Sequence, residues 1–222
     1  MSELVPLFPL PNVVLFPNVF LPLHVFEPRY RDMVADALAG DRLIGMVLLR
    51  PGYERDYEGR PPIYPVGCRG VMTHAERLSD GRFNIVLRGL DRFRIVGEDH
   101  ECRYRRAAIE VIDEHALDAG ERTRVREQRS KIESLLAPIL EKGGALSGRA
   151  EGAPGASIET RLPTAMSDED LIHALAQYLD LEPLEKQALL EQPCLLTRAH
   201  SLVELLEMRL MAARSPASHF AH

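Results

Sequence analysis

Residues 8–30 read FPLPNVVLFPNVFLPLHVFEPRY, an apolar stretch interrupted by five prolines. Proline has no amide hydrogen to donate and clashes inside a helix, so such a run forms short extended pieces, edges and bends. The residues between the prolines are mostly β-branched or aromatic, which favours strands. We therefore predict strands at residues 4–7 and 19–25, joined by a bent connection, as the closing edge of a small β-barrel. The prolines argue against a membrane segment.

One helix follows, and the strand pattern then continues to residue 113. Pro28 suits a first helical turn and Gly40 a helix end, with apolar residues at helical spacing between them. Residues 43–50 (LIGMVLLR) predict a buried strand, and the polar residues 51–62 predict a surface loop. Asp80-Gly81, between two alternating runs, predicts a hairpin. Gly89 predicts a bend or bulge, and residues 104–113 predict a last strand.

After residue 113 the apolar spacing becomes helical. Helices are predicted at residues 117–142, with a kink at Pro138, then after the N-cap Ser167, after Pro183, and at residues 197–214. Residues 143–157 are rich in Gly and Ala and predict a flexible loop. The expected fold class is α+β, a curled sheet or pseudo-barrel followed by a helical bundle. The expected domains are residues 1–115 and 116–222.

Charge and cysteine content restrict the function classes. The net charge is -6; basic and acidic residues balance over residues 1–110, and acidic residues are in excess afterwards. This distribution argues against nucleic acid as a partner. Cys68, Cys102 and Cys194 are widely spaced and fit neither a disulfide framework nor a zinc site. With no basic export signal at the amino terminus, we predict a cytoplasmic protein that does not bind a membrane.

Catalytic motifs give no positive signal. The sequence has no phosphate-binding loop of the form GxxxxGK[ST], and the adjacent Ser130 and Lys131 would not face each other on a helix. His100 and Cys102 could share a strand face but lack a third metal ligand, and His24 is expected to pack in an apolar strand. We predict no enzyme activity, no cofactor and no metal. A small-ligand site or enzyme that uses His100, Cys102 or Arg92 in the barrel groove is the open alternative.

Four aromatic residues exceed what a short edge segment needs. Any that the helices leave uncovered would form an exposed apolar patch, which usually marks a partner site. Burial in the core is the competing interpretation for each ring. The candidates for a peptide-binding patch are Phe8, Phe16, Phe20 and Phe26.

Three stretches carry a family resemblance. LFPLPNVVLFPNVFLPLHVFEPRYRDMV (7–34) and VGCRGVMTHAERLSDGRFNIVLRGLDRFRIV (66–96) resemble the amino-terminal, substrate-binding domain of Lon protease, an ATP-dependent protease (protease La). LAQYLDLEPLEKQALLEQPCLLTRAHSLVELLEMRL (175–210) is similar to the helical segment of that family. The matching motif positions are Pro9, Pro17, Pro22, Glu27, Pro28, Arg29, Tyr30, Gly67, Asp80, Gly81, Gly89, Arg92 and Phe93, and we interpret them as fold-forming.

The resemblance implies a PUA-like curled β domain followed by helices, of the kind also found in RNA-modifying enzymes and in cereblon. It further implies binding of unfolded or tagged protein segments, with a protease as a candidate partner and homo-oligomerisation as an open option. The ATPase and Ser-Lys protease domains of Lon have no counterpart in this sequence. The leading hypothesis is therefore a non-catalytic binding module that works by strand addition or by groove docking; RNA binding is the weakest alternative.

Overall fold

The computed structural model describes residues 4–141 and 166–214. The loop predicted at residues 143–157 lies outside this range. Six strands and five α-helices fill the described chain, which confirms the α+β class. In chain order they are β1 (Leu4–Leu10), β2 (Phe20–Val25), α1 (Pro28–Ala39), β3 (Leu43–Leu48), β4 (Val66–Arg77), β5 (Phe83–Asp99), β6 (Arg105–Val111), α2 (Ala119–Glu141), α3 (Asp168–Tyr178), α4 (Pro183–Leu190) and α5 (Leu195–Arg214).

Five strands close on themselves and the sixth extends one side. β1 pairs in parallel with β3 and antiparallel with β6, while β5 pairs with β4, β6 and β2. The cycle β1–β3–β4–β5–β6 is thus a small barrel, and β2 lies outside it against the first half of β5. Only part of the opening stretch therefore closes the barrel, because β1 is paired on both sides and β2 on one.

The long strand β5 has three partners because β2 and β6 pair with successive stretches of one edge, residues 83–88 and 93–99, while β4 pairs with the other edge. The hairpin predicted at Asp80-Gly81 joins it to β4, with Gly81 at φ 83°, a conformation that glycine adopts without strain. Between the pairs Gly70↔Gly89 and Cys68↔Arg92, β5 contains one residue more than β4. The bulge predicted at Gly89 thus lies just beyond it, at Leu90 and Asp91, and bends the strand.

Apolar residues of the barrel and the helices form one continuous core. It contains Phe16, Met46 and Leu87 from the strand-rich part together with Leu175 and Leu202 from the helices. A smaller cluster of Leu7, Val47, Phe93 and Ala107 occupies the opposite faces of β1 and β3. The strands precede residue 112 and α2–α5 follow residue 118; a division into two domains at residue 115 stays a prediction.

The turn at residues 16–19 is wedged between β5 and α3. The Asn18 amide donates to the Gly89 carbonyl at 2.9 Å, and the Gly89 amide donates to the Val19 carbonyl at 2.9 Å. On the other side, the Phe16 amide donates to Gln177 Oε1 of α3 at 3.1 Å. A Cβ atom on Gly89 would lie 2.0 Å from the Phe16 carbonyl oxygen, far inside van der Waals contact. Glycine is therefore required here by the close approach of the turn.

Replacing Gly89 by alanine should push this turn away from β5. We expect Gly89→Ala to lower the free energy of unfolding by more than about 2 kcal/mol, in the range of severe overpacking. Urea unfolding followed by circular dichroism measures the change. Gly97→Ala is the matched control, because Gly97 lies in the same strand and its Cβ would meet nothing within 4 Å. Equal losses in the two variants would contradict the wedge.

Candidate functional site

The outer surface of β2 exposes two phenylalanines. Side chains alternate along a strand, so Leu21 and Val25 point into the core while residues 20, 22 and 24 point outward. Phe20 is 50% exposed, and Phe26, just beyond the strand, is 60% exposed. The outward residues pair across to β5 as Phe20↔Arg88, Pro22↔Val86 and His24↔Asn84. We call this surface the β2 face: Phe20, Pro22, His24, Phe26, Arg82, Asn84, Val86 and Arg88.

A hydrogen-bonded chain fixes the middle of the β2 face. His24 Nδ1 lies 2.8 Å from Asn84 Oδ1, and the Arg82 guanidinium lies 3.2 Å from His24 Nε2. Since the guanidinium can only donate, His24 Nε2 accepts this hydrogen bond. His24 Nδ1 therefore carries the hydrogen and donates it in a hydrogen bond to Asn84 Oδ1. The His24 ring stacks on the Phe26 ring with centroids 6.3 Å apart. His24 is thus not the packed core residue predicted from the sequence; it is half-buried and supports an exposed aromatic ring.

The four predicted peptide-binding phenylalanines separate into two pairs. The Phe8 ring packs tilted against the Tyr30 ring with centroids 4.5 Å apart, and the Phe16 ring lies 6.1 Å from the His173 ring; both phenylalanines are buried in the core. Buried rings cannot contact an incoming segment without unfolding, so Phe8 and Phe16 drop out of the predicted patch. The sequence alone could have marked Phe20 as exposed. Side chains alternate along a strand, and Phe20 lies on the face opposite to the apolar Leu21 and Val25.

The free edge of β2 is poorly suited to pairing with another strand. Proline on an edge strand places its missing donor toward the open side, which is the position of Pro22. The Tyr178 hydroxyl of α3 donates to the Phe20 carbonyl oxygen at 2.7 Å and occupies an acceptor there. An added strand would therefore find one donor absent and one acceptor occupied.

The other motif residues are spread over the barrel. Glu27 lies at the N-cap of α1 and its carboxylate binds both Arg29 and the Tyr57 hydroxyl, while Pro28 opens the helix. Pro9 and Pro17 are buried, Tyr30 packs in the core, Gly67 lies in β4, and Phe93 belongs to the smaller apolar cluster. The structure does not bring these residues together into one site.

A buried polar cluster joins the barrel to the helices. Arg92 of β5 donates to Glu114 Oε2 at 2.7 Å and to the Leu190 carbonyl at 2.9 Å. Arg198 of α5, fully buried, donates to Glu114 Oε1 at 3.1 Å and to the Leu189 carbonyl at 3.0 Å. The two guanidiniums thus satisfy carbonyls at the C-terminus of α4, where a helix leaves acceptors unpaired and favours positive charge.

His173 completes this cluster as a neutral ring. Arg198 donates to His173 Nε2 at 2.8 Å, and Nδ1 lies 3.1 Å from the Pro17 carbonyl, to which it donates. Burial and, to a smaller extent, the charge of Arg198 lower the pKa of His173 to about 3. The sequence prediction missed Arg198, His173 and Glu114. The sequence did contain one signal for this cluster. His173 is a polar residue between Leu171 and Leu175, on the buried face of a helix.

The groove residues predicted as alternatives do not share a site. Arg92 is buried in the cluster, His100 is exposed, and Cys102 lies in the loop between β5 and β6, so no strand face carries His100 and Cys102. Within residues 4–141 and 166–214, no group of three or more His, Cys, Asp or Glu is placed to hold a metal ion. Over the same ranges, no helix is long and apolar enough to cross a bilayer.

Residues 4–208 match the family model described as the ATP-dependent protease La (LON) substrate-binding domain. The chain belongs to the Lon substrate-binding domain family. Lon protease 2 of Myxococcus xanthus is 27% identical over 207 residues, which cover 93% of this chain and 24% of that protein. Lon protease 2 of Sorangium cellulosum is 34% identical over 134 residues, or 57% of this chain and 17% of that protein. The chain thus spans about a quarter or less of these Lon proteases.

Solved Lon amino-terminal domains have the same fold. The N-terminal domain of the Mycobacterium avium complex Lon protease superposes with a TM-score of 0.62 at 16% identity, covering 92% of this chain and 98% of that one. The Lon N-terminal domain protein from Xanthomonas campestris superposes with a TM-score of 0.55 at 20% identity, covering 96% and 99%. The family resemblance inferred from the three sequence stretches is confirmed.

The pKa of His173 gives this Lon-type domain a specific pH dependence. In the unfolded chain the imidazole binds a proton below about pH 6.5, whereas in the folded protein it stays neutral down to about pH 3. The unfolded state therefore binds more protons in this window, and the free energy of unfolding falls as the pH falls. Between pH 7.5 and pH 5.0 this one group should remove about 2 kcal/mol.

Urea unfolding at pH 7.5 and pH 5.0 tests this expectation. His173→Gln should be less stable at pH 7.5 and should lose about 2 kcal/mol less than the parent protein on acidification. His200→Gln is the control, because His200 is exposed and pairs with the exposed Glu204; it should keep the parental loss. An unchanged pH dependence in His173→Gln would contradict the assignment.

Proposed function

We propose that this chain binds apolar segments of unfolded or tagged proteins at the β2 face and performs no chemistry itself. The observation that carries the proposal is the pair of exposed rings, Phe20 and Phe26, on one outward surface. Membership in the Lon substrate-binding domain family supports a role in recognising protein substrates. Exposed aromatic rings that are held rigidly are typical anchors of protein interfaces.

The composition of the β2 face suits a binding surface for short segments. Phe20, Phe26, Pro22 and Val86 supply the apolar contact area, and Arg82 and Arg88 flank it. Interfaces have this arrangement of an apolar centre and a polar rim. The hydrogen bonds of His24 hold the Phe26 ring in place before a segment arrives, which reduces the entropy lost on binding.

Contacts of side chains, rather than addition of a strand, are the proposed mode. Pro22 and the Tyr178 hydroxyl hinder backbone pairing at the edge of β2. The outward rings, by contrast, are accessible without any rearrangement. We therefore favour docking of apolar side chains over the strand addition that the sequence left open.

The absence of catalysis is part of the proposal. Arg92 is engaged by Glu114 and by the end of α4, and burial raises the pKa of the Cys68 thiol, which keeps it in the unreactive protonated form. A protease as recipient of the bound segments, homo-oligomer formation, a cytoplasmic location and no binding to nucleic acid or membrane are further proposals. They rest on the Lon resemblance and on the charge and cysteine content of the sequence.

Removing both exposed rings should weaken substrate binding. We expect Phe20→Ser/Phe26→Ser to raise the dissociation constant for an unfolded protein by about tenfold or more, the effect of losing two aromatic anchors. Fluorescence anisotropy of a labelled, reduced and carboxymethylated model protein measures the affinity. Because both side chains are at least half exposed, the variant should keep nearly the parental free energy of unfolding.

Val96→Ser/Leu184→Ser is the matched control. Val96 and Leu184 are also exposed apolar side chains, 68% and 48% respectively, but lie outside the β2 face. This variant should bind as the parent does. If it loses as much affinity as the phenylalanine variant, the binding reflects general surface hydrophobicity and the β2 face is not the site.

The binding mode has its own test in Tyr178→Phe. This change frees the Phe20 carbonyl on the β2 edge while both exposed rings stay in place. Docking of side chains predicts an affinity within about twofold of the parent, since no anchor is removed. Strand addition predicts tighter binding, because an additional backbone acceptor becomes available. The same anisotropy titration separates the two modes.

A further inference from the structure

A cavity of about 180 Å³ lies between α1, the loop after β3 and the loop before β6. Three tyrosines, Tyr30, Tyr57 and Tyr104, line it together with the apolar Pro9 and Leu49. An apolar cavity of about 150 Å³ is large enough to bind benzene, so this tyrosine-lined cavity can hold one ring. No residue of the β2 face lines it.

Hydrogen bonds across the cavity make its walls rigid. Arg29 donates to the Tyr57 carbonyl at 3.0 Å, and Arg105 donates to the Pro61 carbonyl at 2.6 Å. The Tyr57 hydroxyl donates to Glu27 Oε1 at 2.8 Å, which ties the loop to the start of α1. The loop is thus attached to the barrel at several points, and the cavity is formed before any ligand enters.

One polar group in the wall is left for a ligand. Tyr30 is 4% exposed, and within the described chain its hydroxyl has no hydrogen-bond partner. The hydroxyl oxygen is not fully buried, so it keeps contact with solvent. We place that contact in the cavity that Tyr30 lines. Burial raises the pKa of Tyr30, so the hydroxyl is protonated at neutral pH and can donate.

Four arginines line the cavity. Arg29, Arg60, Arg103 and Arg105 line the cavity, against one carboxylate, that of Glu58. Glu27 and Glu98 neutralise Arg29 and Arg105 from outside the lining. Arg103, however, is 88% exposed in its side chain, and its nearest carboxylate, that of Asp32, lies 4.0 Å away. Arg103 therefore offers a cation for a single negative charge on a ligand.

We propose that the tyrosine-lined cavity binds a small carboxylate attached to an apolar body of about one ring. The body packs against Pro9, Leu49 and Tyr104, because Arg29 already lies over the Tyr30 and Tyr57 rings. The carboxylate accepts from the Tyr30 hydroxyl and pairs with Arg103. Such a group can belong to a free aromatic or branched carboxylic acid, or to the carboxy-terminal residue of a polypeptide. Both sources have the same chemistry at this site.

Titration of the ¹⁵N-labelled protein with sodium benzoate, followed by amide chemical shifts, tests the proposal. Benzoate should shift the amides of Gly59, Arg60, Cys102 and Arg103, and should bind about tenfold tighter than its uncharged analogue benzamide, as expected for a hydrogen bond to a charged group. Tyr30→Phe should weaken benzoate binding about tenfold. It should also fold as the parent does, because the lost hydroxyl has no partner in the described chain.

A second variant keeps the test independent of folding. Arg103→Gln, at an exposed position, should weaken benzoate several-fold and leave benzamide unchanged, by the value of one partly exposed ion pair. Arg124→Gln removes an exposed arginine of α2 that does not line the cavity and should change neither. Equal binding of benzoate and benzamide, absence of shifts at the cavity, or unchanged benzoate affinity in Tyr30→Phe would each overturn the proposal.

Two peptides distinguish the sources of the carboxylate. Acetyl-Ala-Ala-Phe with a free carboxylate should bind like benzoate if the cavity takes polypeptide C-termini, whereas the amidated peptide should not bind. If benzoate binds and neither peptide does, the ligand is a free acid; both results support a carboxylate site. Phe20→Ser/Phe26→Ser should bind benzoate normally, so failure at the β2 face and failure at the cavity are separate results.

Discussion

The arrangement of this molecule depends on the close contact between the turn at residues 16–19 and Gly89. The turn exchanges backbone hydrogen bonds with Gly89 on one side and receives Gln177 and His173 of α3 on the other. This contact places the barrel and the helices around one core. It also sets where β2 begins, since the strand starts directly after the turn. The position of Phe20 on the surface thus follows from backbone contacts made one to four residues earlier.

The buried arginines make the same junction specific. Arg92 and Arg198 share one carboxylate, and each also satisfies carbonyls at the end of α4. Buried charges gain little net stability over an apolar replacement, but an arrangement that leaves one unpaired is strongly destabilised. Any alternative docking of the helices would leave a guanidinium or Glu114 without its partner. The cluster therefore selects one orientation of the helices against the barrel.

The same junction separates the two candidate binding regions. Tyr178 reaches from α3 to the edge of β2 and occupies the Phe20 carbonyl there. The tyrosine-lined cavity lies at α1 and the loops flanking the barrel, held by arginines that bind loop carbonyls. One surface offers apolar area and the other offers a charged recess, so the two suit ligands of different chemistry.

The sequence by itself determined the strands, the helices and the family. Proline spacing, the Asp80-Gly81 turn and the helical periodicity are local patterns, and local backbone chemistry is enough to predict the elements that they form. The sequence also identified the four phenylalanines as a group. The tertiary structure alone decided that Phe8 and Phe16 fill the core while Phe20 and Phe26 face solvent, because burial depends on what packs against a residue from distant parts of the chain. For the same reason the partners of Arg92, Arg198 and His173, which are up to 156 residues apart in sequence, could be found only in the folded protein.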